Sequence, residues 1–298
     1  MYYNIYIKER KVIKMNEEKY DFIMKRLNEH YEYLISKGYE VVCLMLQGSQ
    51  NYGLDEYSDE YQSDIDSKAI VLPHFCDFVY EKAPISYTEI LDNNEHIDVK
   101  DIRIMFEMFT KENISYIELL YTPYRVVNAK YLEYIRLLFD NRESIAAINT
   151  NQFLRCIVGM AGNKVKALCH RYPTLEEKID KYGFDGKQLS HLVWLFEFIS
   201  RYTKGESIEK CYLTQEPEML KNLKKQLTFC GDRVMTVDEA VAAAQFYYEQ
   251  TKLIERLHLL PHDVVNKEPI ELLNKIKYDK SKTNIKSYIV IKIFYVWN

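Results

Sequence analysis

What most constrains this chain is a change of hydrophobic period part-way along it. Beyond about residue 126, apolar residues recur at steps of three and four over 129–147, 150–171, 186–203, 215–228, 236–258 and 268–277, with Gly183, Gly186 and Gly205 at the breaks. Each of these stretches predicts an amphipathic helix. Before residue 126 the pattern is mixed. Residues 16–37 place Tyr20, Ile23, Leu27, Tyr31 and Leu34 on one helix face, closed by Gly38. The apolar run 40–47 reads as a buried strand that stops at Gly48-Ser49. A second strand is expected over 63–73, with Asp64 and Asp66 on one face because strand side chains alternate, and a third over 96–99. Asp101 reads as the N-cap of a helix through Ile102, Met105, Phe106 and Phe109. With 9 glycines and 7 prolines in 298 residues, the chain lacks the turn residues of an all-β sandwich or barrel. The expected fold class is α+β: a small mixed β-sheet with flanking helices over 15–126, then an all-helical domain over 127–277. No role is assigned to the extensions 1–14 and 278–298.

A hydrophobic content of 47% with 28% charged residues excludes a disordered or low-complexity chain. The net charge of −4 is unevenly spread: residues 15–150 carry 13 basic against 25 acidic residues, whereas both ends are basic. An acidic first half is read either as solvated helix faces or as a site whose carboxylates hold cations. The six cysteines form no CxxC pair and no zinc-spaced cluster with histidine, so they are expected to be core thiols with no disulfide-linked partner. No stretch approaches 18 uncharged apolar residues and no signal-peptide pattern opens the chain, so no membrane partner and a cytoplasmic location are expected; Met15 is a candidate natural start.

Chemistry concentrates in three places: Gly48-Ser49 at the end of the first strand, Asp64-Ile65-Asp66 at the second, and Asp98 on the third. Carboxylates at i and i+2 on a strand, joined by one from a neighbouring strand, make the oxygen-rich cluster that magnesium takes. A Gly-Ser turn between strand and helix offers backbone N–H groups and a hydroxyl to a phosphate. Taken singly, each reads more readily as an ordinary strand start or turn; their occurrence together and in order favours nucleotidyl transfer.

These residues resemble the DNA polymerase beta-like nucleotidyltransferase superfamily. Within it, Gly48 to Leu54, Asp64 to Pro73, Ile97 to Arg103, Ile117 to Pro123 and Asp185 to Leu192 resemble the nucleotidyltransferases associated with RNA repair in bacteria and phages, over about 40 to 210. The resemblance implies a nucleotidyltransferase core at 15–126 and a metal-dependent enzyme that moves an NMP from an NTP to an acceptor hydroxyl, an RNA end among the candidates. It implies Asp64, Asp66 and Asp98 as catalytic residues and ligands of Mg²⁺ or Mn²⁺, and Gly48, Ser49, Tyr52, Lys187 and His191 as nucleotide contacts. The spacing from Ser49 to Asp64 is longer than the family pattern; residues 56–61 read as an inserted loop, which leaves Asp59 as an alternative carboxylate. Asp101 competes with Asp98 for the third position, and Asp98 is preferred because Ile97-Asp98-Val99 alternates like a strand.

Arg155, Lys164, Lys166 and Arg171 on one predicted helix are candidate contacts to a triphosphate or RNA, with surface charge the plainer reading for each. Glu118 reads equally as a buried structural carboxylate or a catalytic one. The alternative function is a non-catalytic nucleotide-binding or antitoxin-like partner that keeps the fold.

Overall fold

A computed structural model describes residues 17–56, 63–74, 76–77, 80 and 82–277. The extensions 1–14 and 278–298, the inserted loop beyond Glu56, and Asp59 lie outside these described residues. The fold is α+β, with a five-stranded mixed sheet and many helices. The chain forms two compact units that interleave in sequence. One takes the described residues up to Gly48, from Asp64 to Ile148 and from Val265 onward; the other takes Ser49 to Ser63 and Asn149 to Val264. Where the sequence suggests one boundary near 126–150, the chain changes unit at 148/149 and also at 48/49, 63/64 and 264/265.

The first unit opens with α1 (Glu17–Ser36) and β1 (Glu40–Gln47). After α2 (Ser49–Tyr52), which belongs to the second unit, follow β2 (Asp66–Leu72), β3 (Ser86–Ile90), β4 (His96–Asp101), α3 (Ile102–Thr110), α4 (Ile114–Ile117), β5 (Arg125–Val127), α5 (Leu132–Asp140) and α6 (Arg142–Ile145). The strand order is β3-β4-β2-β1-β5, with β2 and β4 parallel and the remaining pairs antiparallel. Alternation divides the sheet into two faces. Leu44, Leu46, Ala69, Val71, Ile97, Val99 and Val126 form one core with Ile23, Leu27, Tyr31 and Leu34 of α1. Burying each large side chain contributes roughly 1.5–3 kcal/mol. The other face carries Met45, Lys68, Ile70, Asp98 and Lys100.

The second strand starts at Asp66, so Asp64 precedes the strand instead of sharing its face. The cause lies in β1, which ends opposite Asp66 at Gln47 and then turns at Gly48, where φ is +91°. Only glycine takes that left-handed turn without strain, and beyond it Asp64 has no strand to pair with. The sequence also predicts one helix over 129–147; the structure breaks it at Asn141 between α5 and α6.

A polar cluster lies inside this core. His30 of α1 is fully buried, with Nδ1 2.9 Å from Ser67 Oγ and Nε2 2.9 Å from Glu95 Oε2. Arg26 Nε donates to the same carboxylate at 3.1 Å. Burial pushes the Glu95 carboxyl up, but hydrogen bonds from Arg26, Asn93 and His30 outweigh it and hold the group below its ordinary value. Glu95→Ala removes the acceptor that two buried or half-buried donors share, so it should cost about 3 kcal/mol or more in urea unfolding. A loss under about 1 kcal/mol would show that the core closes without the cluster.

The second unit is helical: α2, α7 (Thr150–Ala167), α8 (Glu176–Tyr182), α9 (Gly186–Tyr202), α10 (Ile208–Tyr212), α11 (Pro217–Lys224) and α12 (Val237–His258). The helix expected over 215–228 stops at Lys224, because Gln226 turns left-handed at φ 60° and Leu227 bridges to Val234. Gly186 sits where a Cβ would lie 2.1 Å from the Leu223 carbonyl oxygen, so α9 and α11 approach through a glycine. Tyr52 ties α2 to this unit: its ring packs 4.4 Å from Trp194 and 6.2 Å from Tyr212, centroid to centroid. Trp194 Nε1 donates to the Tyr212 carbonyl at 3.2 Å. Among the described residues no helix is long and apolar enough to cross a membrane, and all six cysteines are thiols.

Candidate active site

The sheet register brings the separate motifs of the first unit into one neighbourhood. Gln47 pairs with Asp66 across β1 and β2, which places the Gly48 turn beside the start of β2. One strand further, Lys68 pairs with Asp98 in the parallel β2–β4 ladder, so Asp66, Lys68 and Asp98 project from the same sheet face. Asp66 Oδ1 accepts the His96 backbone N–H at 3.0 Å and lies 3.5 Å from His96 Nδ1. Asp64 is exposed just ahead of the strand.

Asp98 is held by two lysines. Its Oδ2 lies 3.1 Å from Lys68 Nζ and its Oδ1 lies 2.7 Å from Lys100 Nζ. Thr88, directly opposite on β3, donates to Oδ1 at 3.4 Å. Lys68 is 4% exposed and its ammonium stands 3.8 Å above the Tyr116 ring. Burial pulls the Lys68 pKa down, partly offset by Asp98. Among the described residues, no three His, Cys, Asp or Glu side chains stand together as a metal cradle. As a three-carboxylate metal site the arrangement therefore does not fit, because both oxygens of Asp98 already carry a lysine. Asp101 takes the part its position suggests: fully buried, it caps α3 by accepting the Arg103 backbone N–H at 2.8 Å and pairs with the Arg103 guanidinium at 2.6 Å.

Glu118 enters this neighbourhood from a 3₁₀ turn, Glu118–Leu120, that follows α4. Its side chain is buried, and Oε1 accepts the Gly48 backbone N–H at 3.2 Å. One N–H of the turn expected to receive a phosphate is thus given to a carboxyl. Burial pushes that carboxyl up to about 8, with the Gly48 hydrogen bond pulling the other way.

The remaining expected nucleotide contacts lie in the second unit. Ser49 opens α2 and is half-buried. Tyr52 is 5% exposed within its aromatic cluster. Lys187 is exposed in the first turn of α9, where its backbone N–H donates to the Asp185 cap at 3.2 Å. One turn on, the edge of His191 meets Tyr52 and its pKa is pushed down to about 3, by burial first and then by Lys164, Lys187 and Lys224. Two other candidates are engaged with carboxylates: Arg155 with Asp263 at 2.9 Å and Arg171 with Asp180 at 3.0 Å.

Sequence reasoning missed Lys68, Lys100 and the link from Glu118 to Gly48. The first had a visible signal, a lysine directly before the apolar run Ala69-Ile70-Val71-Leu72 and two residues after Asp66. No family model matches this chain, and no curated protein matches it.

Proposed function

We propose that the chain is a nucleotidyltransferase, transferring an NMP from an NTP to an acceptor hydroxyl. The observation that carries this reading is the register: the Gly48 turn, Asp66 and Asp98, fifty residues apart in sequence from first to last, meet at neighbouring positions of one sheet. In the reaction the acceptor hydroxyl oxygen attacks the α-phosphorus and gives its proton to solvent water, the bond from that phosphorus to the oxygen bridging to the β-phosphate breaks, and pyrophosphate leaves. The NTP arrives as its Mg²⁺ or Mn²⁺ complex, and the ion supplies charge neutralisation on the phosphates. Asp64, exposed ahead of β2, and Asp66, with 35% of its side chain exposed, are the carboxylates assigned to that ion in this reading. Ser49 Oγ, directly after the Gly48 turn in sequence, donates to a phosphate oxygen. An RNA end is the acceptor we favour for the first test.

A second reading, a non-catalytic nucleotide-binding partner, is favoured by one observation, the commitment of Asp98 to two lysines. Incubation with each α-labelled NTP, a divalent ion, and RNA or protein separates the two. Label transfer with pyrophosphate release is expected; nucleotide binding with no transfer to any acceptor would establish the second reading. Ser49→Ala should raise the KM for NTP about tenfold and leave kcat within about threefold, since it removes one charge-assisted hydrogen bond. A variant with kcat reduced a hundredfold and an unchanged KM would move Ser49 off the phosphates.

A further inference from the structure

The lysines at Asp98 bear on how many metal ions such a site takes. Their placement follows from the backbone. Lys68 and Asp98 are directly opposed in the parallel ladder, and Lys100 lies two residues beyond Asp98 on the same face. Lys100 is held in turn, donating from Nζ to Ser86 Oγ at 2.9 Å across the β3–β4 pair. Lys68 has little room to swing toward solvent, with 5% of its side chain exposed and the Tyr116 ring beneath its ammonium. If a divalent ion took Asp98, it would sit against two ammonium groups. It would also strip a buried lysine of its carboxylate, leaving an unpaired charge inside the protein.

We propose that Lys68 is the built-in cation of this site: with Lys100 it holds Asp98 in a lysine–carboxylate–lysine triple, so the chain takes one divalent ion per nucleotide instead of two. This rests on the nucleotidyltransferase reading and changes its stoichiometry. Asp98 becomes a positioning residue for Lys68, and the single ion is the one that arrives on the NTP. A lysine ammonium in this place does part of what a second ion does, giving Asp98 a fixed positive partner that need not be captured from solution.

The test counts Mn²⁺ by electron paramagnetic resonance on the full chain, saturated with an NTP analogue carrying a methylene between its α- and β-phosphates. One retained Mn²⁺ per chain is expected for the native protein, and also for Asp98→Asn, with Mn²⁺ affinity changed by less than about threefold. Lys68→Met, close in length but uncharged, frees Oδ2 of Asp98, and together with Lys100→Met, which frees Oδ1, it should raise the count to two. Two ions on the native protein, or a tenfold loss of Mn²⁺ affinity in Asp98→Asn, would overturn the inference while leaving nucleotidyl transfer standing. A native chain that retains no Mn²⁺ with the analogue, and transfers no label, overturns both. If Lys68→Met or Asp98→Asn does not fold by circular dichroism, the native count still decides.

Discussion

Asp66→Ala is expected to reduce label transfer from NTP by about 10³-fold or more while the protein melts within a few degrees of the native chain. The loss follows from what the carboxylate does in the proposed reaction. It helps hold the ion that neutralises the triphosphate, and several kcal/mol of charge stabilisation at the transition state convert to about that factor. The small effect on folding follows from its place at the end of a strand with 35% of its side chain exposed. Removing it returns the His96 N–H toward water, at a cost of about 1 kcal/mol. Asp98→Ala makes the useful contrast. It leaves Lys68 buried beside Tyr116 without its counter-ion, so its damage should appear in stability, about 3 kcal/mol or more, before it appears in chemistry. An Asp66→Ala protein that keeps more than a tenth of native transfer would remove that residue from the site.

The contrast between these two aspartates shows how far the sequence could be read. The strand 40–47 was legible because an apolar run ends at a glycine, and α9 and α12 because their apolar residues keep helical spacing over 17 and 22 residues. Strand β3 was not, since Ser86, Thr88 and Ile90 alternate with Tyr87 and Glu89 on a sheet edge where neither set is uniformly apolar. Strand β5 has three residues, too few for any period to register. Asp64 was placed on β2 because alternation continues backward from Asp66 in the sequence, whereas strand pairing ends where β1 turns away at Gly48. That limit is set by the partner strand and leaves no mark near Asp64. The buried His30–Glu95 contact is of the same kind. His30 could be flagged as a polar residue on the apolar face of α1, but its partner comes from the β3–β4 connection, 65 residues on. For the candidate site, residue types and order were legible, and which cation answers which carboxylate was decided by the parallel pairing of β2 with β4.

Glu118→Gln is expected to make the protein more stable at pH 8 and leave it nearly unchanged at pH 4.5. In the folded chain burial raises the Glu118 carboxyl from 4.5 to about 8, so between those values the folded protein binds a proton that the unfolded chain has released. Stability is then fully present below about pH 4.5 and falls as pH rises toward 8, by up to about 5 kcal/mol if the whole shift is expressed. Glutamine is neutral at every pH, and its side-chain carbonyl can accept the Gly48 N–H as the carboxyl oxygen does. It should therefore abolish this slope without disturbing the turn. The measurement is the urea midpoint of both proteins at pH 4.5, 6 and 8. The two curves should meet at the acid end and separate as pH rises, with the variant above. Parallel curves would mean that Glu118 is ionised when folded, with a cation or a rearranged turn compensating it. Glu118→Leu supplies the complementary control. It also removes the titration, but it leaves the Gly48 N–H without this acceptor, so it should be less stable than the glutamine variant at every pH by about 1–3 kcal/mol. A leucine variant equal to the glutamine one would show that Glu118 does not hold the β1 turn through that hydrogen bond.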